Sequence, residues 1–180
     1  LLTLRDAMAA EDRAAASVAI GDAANRLLAA RLAPGAVVAL YSAKGSEVDT
    51  ARIDAFARSR GLLVAYPRVV GDARKLRFHA VTLEELAPSR FGLREPSADA
   101  PGVAVEEVAA YLVPGLAFDR SGWRLGWGRG HYDATLAAAA PDALLVGLGY
   151  EGQLVEHVPR EPHDVALHII ITEVATYTVV

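Results

Sequence analysis

Apolar residues are arranged in two ways along the chain. Short unbroken runs, which suit strands buried on both faces, alternate with longer segments whose apolar positions recur at helical spacing. Residues 3–31 are rich in alanine, leucine and arginine, with Ile20, Ala23, Ala24, Leu27 and Leu28 on one face. That predicts a helix, with Ser17 a candidate cap for a second start inside it. A Pro-Gly turn then leads into a first strand, Val37 to Tyr41. A helix follows from about Asp49, ended by Gly61 in the usual C-terminal glycine position. "LLVAYPRVV" predicts a second strand with Pro67 at its end, and "LRFHAV" a third. The stretch 87–105, dense in proline and glycine, reads as a loop crossing the surface.

"VAAYLVPG" predicts the fourth strand, and a helix is expected from about Gly130 to Ala140, closed by Pro141. "ALLVGLGY", "HIIITE" and "TYTVV" supply the remaining strands. The alternation predicts one α/β domain over residues 1–180, with an open, mostly parallel sheet and helices on both faces. Ligands in such Rossmann-like sheets sit beyond the carboxyl ends of the strands. The loops after the first, fourth and fifth strands meet there.

Composition narrows the picture. The 180 residues are 53% hydrophobic and 22% charged, as expected for a globular domain. A net charge of −4 with scattered basic residues gives no electrostatic footprint for nucleic acid. Cysteine is absent, which removes disulfides and thiolate metal sites and suits a reducing compartment. No apolar run approaches the roughly 18 residues of a membrane span. A cytoplasmic monomer without membrane or nucleic-acid partners is the expectation.

The chemistry concentrates in "RLGWGRGHYD", residues 124–133. Gly126, Gly128 and Gly130 let the backbone turn tightly and let a ligand approach its amides. The loop runs into a helix start, and Arg124 and Arg129 add forked cations suited to phosphate. The GxxxxGK[ST] spacing of a P-loop is absent, and a plain glycine turn remains an alternative. Asp133 fits a helix start as well as a metal site. Beside phosphate, however, a carboxylate calls for Mg2+, with Asp164 as a second ligand. Both tryptophans, Trp127 within this stretch and Trp123 just before it, suit a flat heteroaromatic ligand as well as core packing. Glu47 could accept hydrogen bonds from such a ring. His131 reads either as a neutral donor to the ligand or as a solvated helix-start residue.

Together, "LVPGLAFDRSGWRLGWGRGHYDATL" and "VGLGYEGQLVEHVPREPHDVALHIIITE" resemble the 5-formyltetrahydrofolate cyclo-ligase (methenyltetrahydrofolate synthetase) family. "LYSAKGSEVDT" and "AYPRVV" resemble its earlier segments. The resemblance implies ATP- and Mg2+-dependent closure of 5-formyltetrahydrofolate to 5,10-methenyltetrahydrofolate, with ADP and phosphate released. It implies that Arg124, Leu125, Gly126, Trp127, Gly128, Arg129, Gly130, His131 and Tyr132 line ATP. Trp127 to His131 would also touch the folate, with Ser42 and Glu47 at the pterin and Asp133 and Asp164 on Mg2+. Arg129, at a position often filled by lysine, and Tyr132 would be the catalytic side chains. The chain departs from the family in two ways: His131 replaces a usual tyrosine, and the family's N-terminal Lys/Arg motif has no counterpart. Arg5 aligns instead with a later arginine of the family's first helix. Either about ten residues are missing from the start, which the lack of an initiating Met favours, or nucleotide is bound with fewer cations. A sugar-phosphate isomerase or CoA-transferase-like enzyme, and a non-catalytic folate- or nucleotide-binding relative, are the alternatives.

Overall fold

The computed structural model describes residues 2–71 and 73–179. Helices α1 (Leu2–Ala7) and α2 (Ala10–Arg31) precede strand β1 (Val37–Ala39), helix α3 (Ala51–Ser59) and strands β2 (Leu63–Arg68) and β3 (Arg77–Ala80). Four shorter strands and a longer one follow: β4 (Ala87–Pro88), β5 (Arg94–Glu95), β6 (Gly102–Val103), β7 (Val108–Val113) and β8 (Ala117–Asp119). The chain continues through β9 (Arg124–Leu125), α4 (His131–Leu136), β10 (Leu144–Leu148), β11 (Leu154–Val155), β12 (Ile169–Ile171) and β13 (Thr176–Thr178).

Eight strands form the main sheet in the order β13-β12-β10-β7-β1-β2-β3-β6. The central five, β12 to β2, are mutually parallel, whereas β13, β3 and β6 add antiparallel edges. Alternate residues serve two cores. Val38, Val64, Leu112 and Val146 pack under α2 and α3 with Ile20, Ala24, Leu28 and Ile53. Ala39, Ala65, Tyr111, Val113 and Leu145 face the other way, toward Leu136 of α4, Phe118 and Leu167. The mostly parallel sheet with both faces covered is as the alternation predicts. The second face is covered mainly by a small sheet, β11-β8-β9, with α4 beside it.

Several local expectations change. The N-terminal helix breaks at Met8–Ala9, not at Ser17. Ser17 is buried mid-helix, where its hydroxyl accepts from the Asp49 amide (3.2 Å) and pairs with the Tyr150 hydroxyl (3.3 Å). The stretch 87–105 is more than a surface crossing: it folds a β4–β5 hairpin and gives β6 to the sheet. The helix expected over 130–140 has only six residues, so its dipole is correspondingly short.

Phe118 is buried to 1% exposure against glycines. A Cβ on Gly115, Gly147 or Gly149 would fall 2.6–2.7 Å from its ring. Gly147→Ala is therefore expected to cost about 2 kcal/mol through overpacking, since Leu167 also closes to 2.8 Å. Gly152, with open space around it, is the control. Urea unfolding of the two alanine variants compares them directly.

Candidate active site

A cavity of about 930 Å³ opens beyond the carboxyl ends of β1, β2 and β7. Its walls come from the loop after β1, the segment after β2, the β4–β5 hairpin, residues 124–133 and residues 159–164. Ser42, Glu47, Arg124 through Asp133 and Asp164 all line it. Elements far apart in sequence thus bring these residues to one concavity, whereas Trp123 is not among its lining residues.

Within the glycine-rich loop, the glycines differ. Gly128 (φ 77°) and Gly130 (φ 64°) are left-handed and face open space, so each needs glycine for its backbone. At Gly126 the constraint is steric: a Cβ would lie 3.0 Å from Arg124 Nη1. Arg124 Nη2 donates to Asp133 Oδ1 at 2.9 Å, and its guanidinium lies 5.4 Å from the centre of the Tyr132 ring. The pair is nearly buried, with side chains 4% and 15% exposed. Arg124 Nε, also buried, has no partner among the described residues, leaving one N–H donor at the cavity wall unspent.

His131 is committed to the backbone. Its Nδ1 donates to the Arg74 carbonyl (2.9 Å), so in the neutral ring Nε2 is an acceptor, which corrects the reading of a neutral donor toward the ligand. Thr135 Oγ1 accepts from the Leu76 amide (2.8 Å), so two bonds tie α4 to the connection between β2 and β3. Burial, reinforced by the Glu47 carboxylate and opposed by Arg124, pushes the Tyr132 phenol well above its ordinary range. It stays neutral, with its phenolic proton in place.

Glu47 Oε2 accepts the Lys44 amide at 2.9 Å. Burial is the larger influence and raises its carboxyl above the usual range; that bond, Arg5, the Trp127 side chain and Lys44 pull the other way.

For Mg2+, the described residues contain no cluster of three His, Cys, Asp or Glu side chains placed to share an ion. Mg2+ bound with phosphate needs only one or two carboxylates, the rest being phosphate oxygens and waters. The donor set fits that pattern. The bonds to the Asp133 carboxylate, from Arg124 and the Val165 amide, both fall on Oδ1, and Asp164 closes a turn through Oδ2 with the Glu161 amide.

Other wall residues escaped the sequence reading. Glu95 is buried and receives the Val69 amide (3.0 Å) and the Ser89 hydroxyl, fastening the hairpin to the end of β2. Between Arg94 and Pro96 in a polar loop it carries no signal of burial. Arg160, another lining residue, stacks 4.9 Å from the Trp123 ring. Asp119, 1% exposed, accepts the amides of Ser121, Trp123 and Val158, joining the approach to the glycine-rich loop to the approach to Asp164.

Fold and cavity define an α/β protein whose glycine- and arginine-bearing loop and half-buried Glu47 line one concavity at the carboxyl edge of a parallel sheet. The family model for the 5-formyltetrahydrofolate cyclo-ligase family matches residues 1–173, and the chain belongs to that family. Membership sets aside the isomerase and CoA-transferase alternative. The chain is 44% identical over 88 residues to the 5-formyltetrahydrofolate cyclo-ligase of Mycolicibacterium smegmatis, covering 48% of this chain and 45% of that one. It is 34% identical over 113 residues to the Escherichia coli K12 protein of the same name, covering 62% and 61%. The chain spans about half the length of the curated relatives it matches. The Aquifex aeolicus 5,10-methenyltetrahydrofolate synthetase structure superposes with a TM-score of 0.83 at 28% identity, over 99% of this chain and 88% of that one. The Mycoplasma pneumoniae synthetase, at 21% identity, shares the fold with a TM-score of 0.79 over 96% and 93%.

Two measurements probe the site. Asp133→Asn strands a nearly buried arginine, so it is expected to cost about 3 kcal/mol in urea unfolding besides any effect on ligands. For Glu47, the raised native value means the folded state binds the extra proton. Its contribution favours folding at low pH and is lost as pH rises from the ordinary glutamate range through the raised one. Glu47→Gln is therefore expected to gain stability relative to the parent across that interval, read as a pH-dependent difference in urea midpoints.

Proposed function

We propose that this protein closes 5-formyltetrahydrofolate to 5,10-methenyltetrahydrofolate, consuming ATP with Mg2+ and releasing ADP and phosphate, as a cytoplasmic monomer. One observation supports the reading above the others: the residues matched to the family's nucleotide, folate and metal positions all line a single cavity. At about 930 Å³ it lies near the upper end of the usual range for ligand sites, large enough for two reactants to meet.

The chain's own groups divide the work. Amides of the loop at Gly126, Gly128 and Gly130 take phosphate oxygens, and Arg129 stands by the γ-phosphoryl group. The formyl oxygen attacks that phosphorus and ADP leaves. N10 then attacks the activated carbon, gives up its proton, and phosphate departs with the former formyl oxygen. Arg129 stabilises the charge that develops on the transferring group. Asp133 and Asp164 would hold Mg2+, which offsets charge between the carboxylates and the phosphates.

Glu47, ionised, accepts pterin N–H donors with Ser42 beside it, and Trp127 offers a flat surface to the ring. Tyr132, kept neutral, donates a hydrogen bond and does not act as a base. Exclusion of water by the aromatic loop protects the activated formyl carbon from hydrolysis.

Mixing the protein with ATP, Mg2+ and 5-formyltetrahydrofolate is expected to produce growing absorbance at the methenyl product's band. Arg129→Ala should lower turnover by about 10²-fold, and Arg129→Lys should retain most of it. Binding of both ligands without absorbance growth would assign the protein to the non-catalytic alternative.

A further inference from the structure

The geometry points to Arg5 as a positioning residue for Glu47: through the Ser46 hydroxyl, it holds the loop after β1 from behind so that the carboxylate stands into the cavity. This rests on the reading that Glu47 receives the reduced pterin. Arg5 lies on α1, outside the cavity wall, and is 4% exposed. Its Nε donates to Ser46 Oγ at 2.8 Å, and that hydroxyl in turn donates to the Asp6 carboxylate. One buried hydroxyl therefore ties two consecutive residues of α1 to the residue immediately before Glu47. From the other side, the Lys44 amide donates to Glu47 Oε2. The carboxylate is fixed in direction by a bond in front and a clamp behind.

Position and charge act together. The charged and titratable groups facing Glu47 are Arg5 from α1, Lys44 from its own loop, Tyr41 at the end of β1 and Tyr132 from α4, with the Trp127 indole opposite. Both tyrosines are neutral, and Lys44 is exposed, so solvent screens its charge. The Arg5 guanidinium is buried, where a charge acts through a lower dielectric. It favours the ionised Glu47 that the pterin N–H donors need, against the burial that disfavours it. Burying an arginine is costly without such partners. Arg5 finds them in Ser46, whose hydroxyl passes the chain on to Asp6, and in the field of Glu47.

The test uses the full chain and three variants: Arg5→Met, Arg5→Lys and Ser46→Ala. In protein without ligand, the carboxyl carbon resonance of Glu47 follows its titration. Arg5→Met is expected to move that midpoint upward, and Arg5→Lys to restore it in part. In the cyclisation assay, the KM for 5-formyltetrahydrofolate should rise about tenfold in Arg5→Met, with kcat changing less than about twofold, as for loss of one charged hydrogen bond in binding. Unchanged midpoint and KM in Arg5→Met overturn the proposal. If that variant does not fold, Ser46→Ala keeps the charge and removes the clamp: a raised KM supports the proposal and an unchanged one overturns it. A shifted midpoint in a protein whose parent turns over no folate leaves the coupling standing and overturns the cyclo-ligase reading instead.

Discussion

Burial of five parallel strands on both faces is the constraint from which the site follows. Parallel neighbours send all their carboxyl ends to one edge, so the loops that leave β1, β2, β7 and β10 must converge there. The register that achieves this resists slipping. Ala39 pairs with Ala65 on the side that admits Phe78 and Tyr111, whereas Val38 and Val64 fill the side beneath α2 and α3. A slip of one residue would press branched side chains into the tighter face and leave alanines under the helices. The cavity edge is therefore as well determined as the core.

Two small features convert that edge into a shaped wall. The Phe118 ring rests on Gly115, Gly147 and Gly149, which brings β8 close to the ends of the central strands. Asp119, next in sequence, spends its carboxylate on amides of both segments that carry the loops on that side. Neither residue reaches the cavity. They set the separation of Arg124 and Asp164, whose side chains do.

Much of this was legible in the residue pattern, for a physical reason. Buried parallel strands must be apolar throughout, so Val108–Val113 and Leu144–Leu148 stand out without knowledge of their neighbours. Gly128 and Gly130 were legible because only glycine adopts their φ readily. What stayed hidden depends on contacts distant in sequence. Ser17 reads as a cap by type, yet its partners are 32 and 133 residues away. Glu95 lies in a stretch whose prolines and glycines mask a hairpin, and its buried acceptors appear only once Val69 and Ser89 are beside it. The Arg124–Asp133 pair spans only nine residues, but charge alone did not distinguish a metal ligand from an arginine's counter-ion.

The main-chain amide held by Glu47 has a geometric implication. The bond folds the stretch from Lys44 to Glu47 back on itself, with Gly45 left-handed inside it (φ 61°). A carboxylate tied by one oxygen to its own loop keeps its second oxygen and its remaining lone pairs in a set direction. Its orientation is therefore decided before anything enters the cavity, and little rotamer freedom is left to lose on contact.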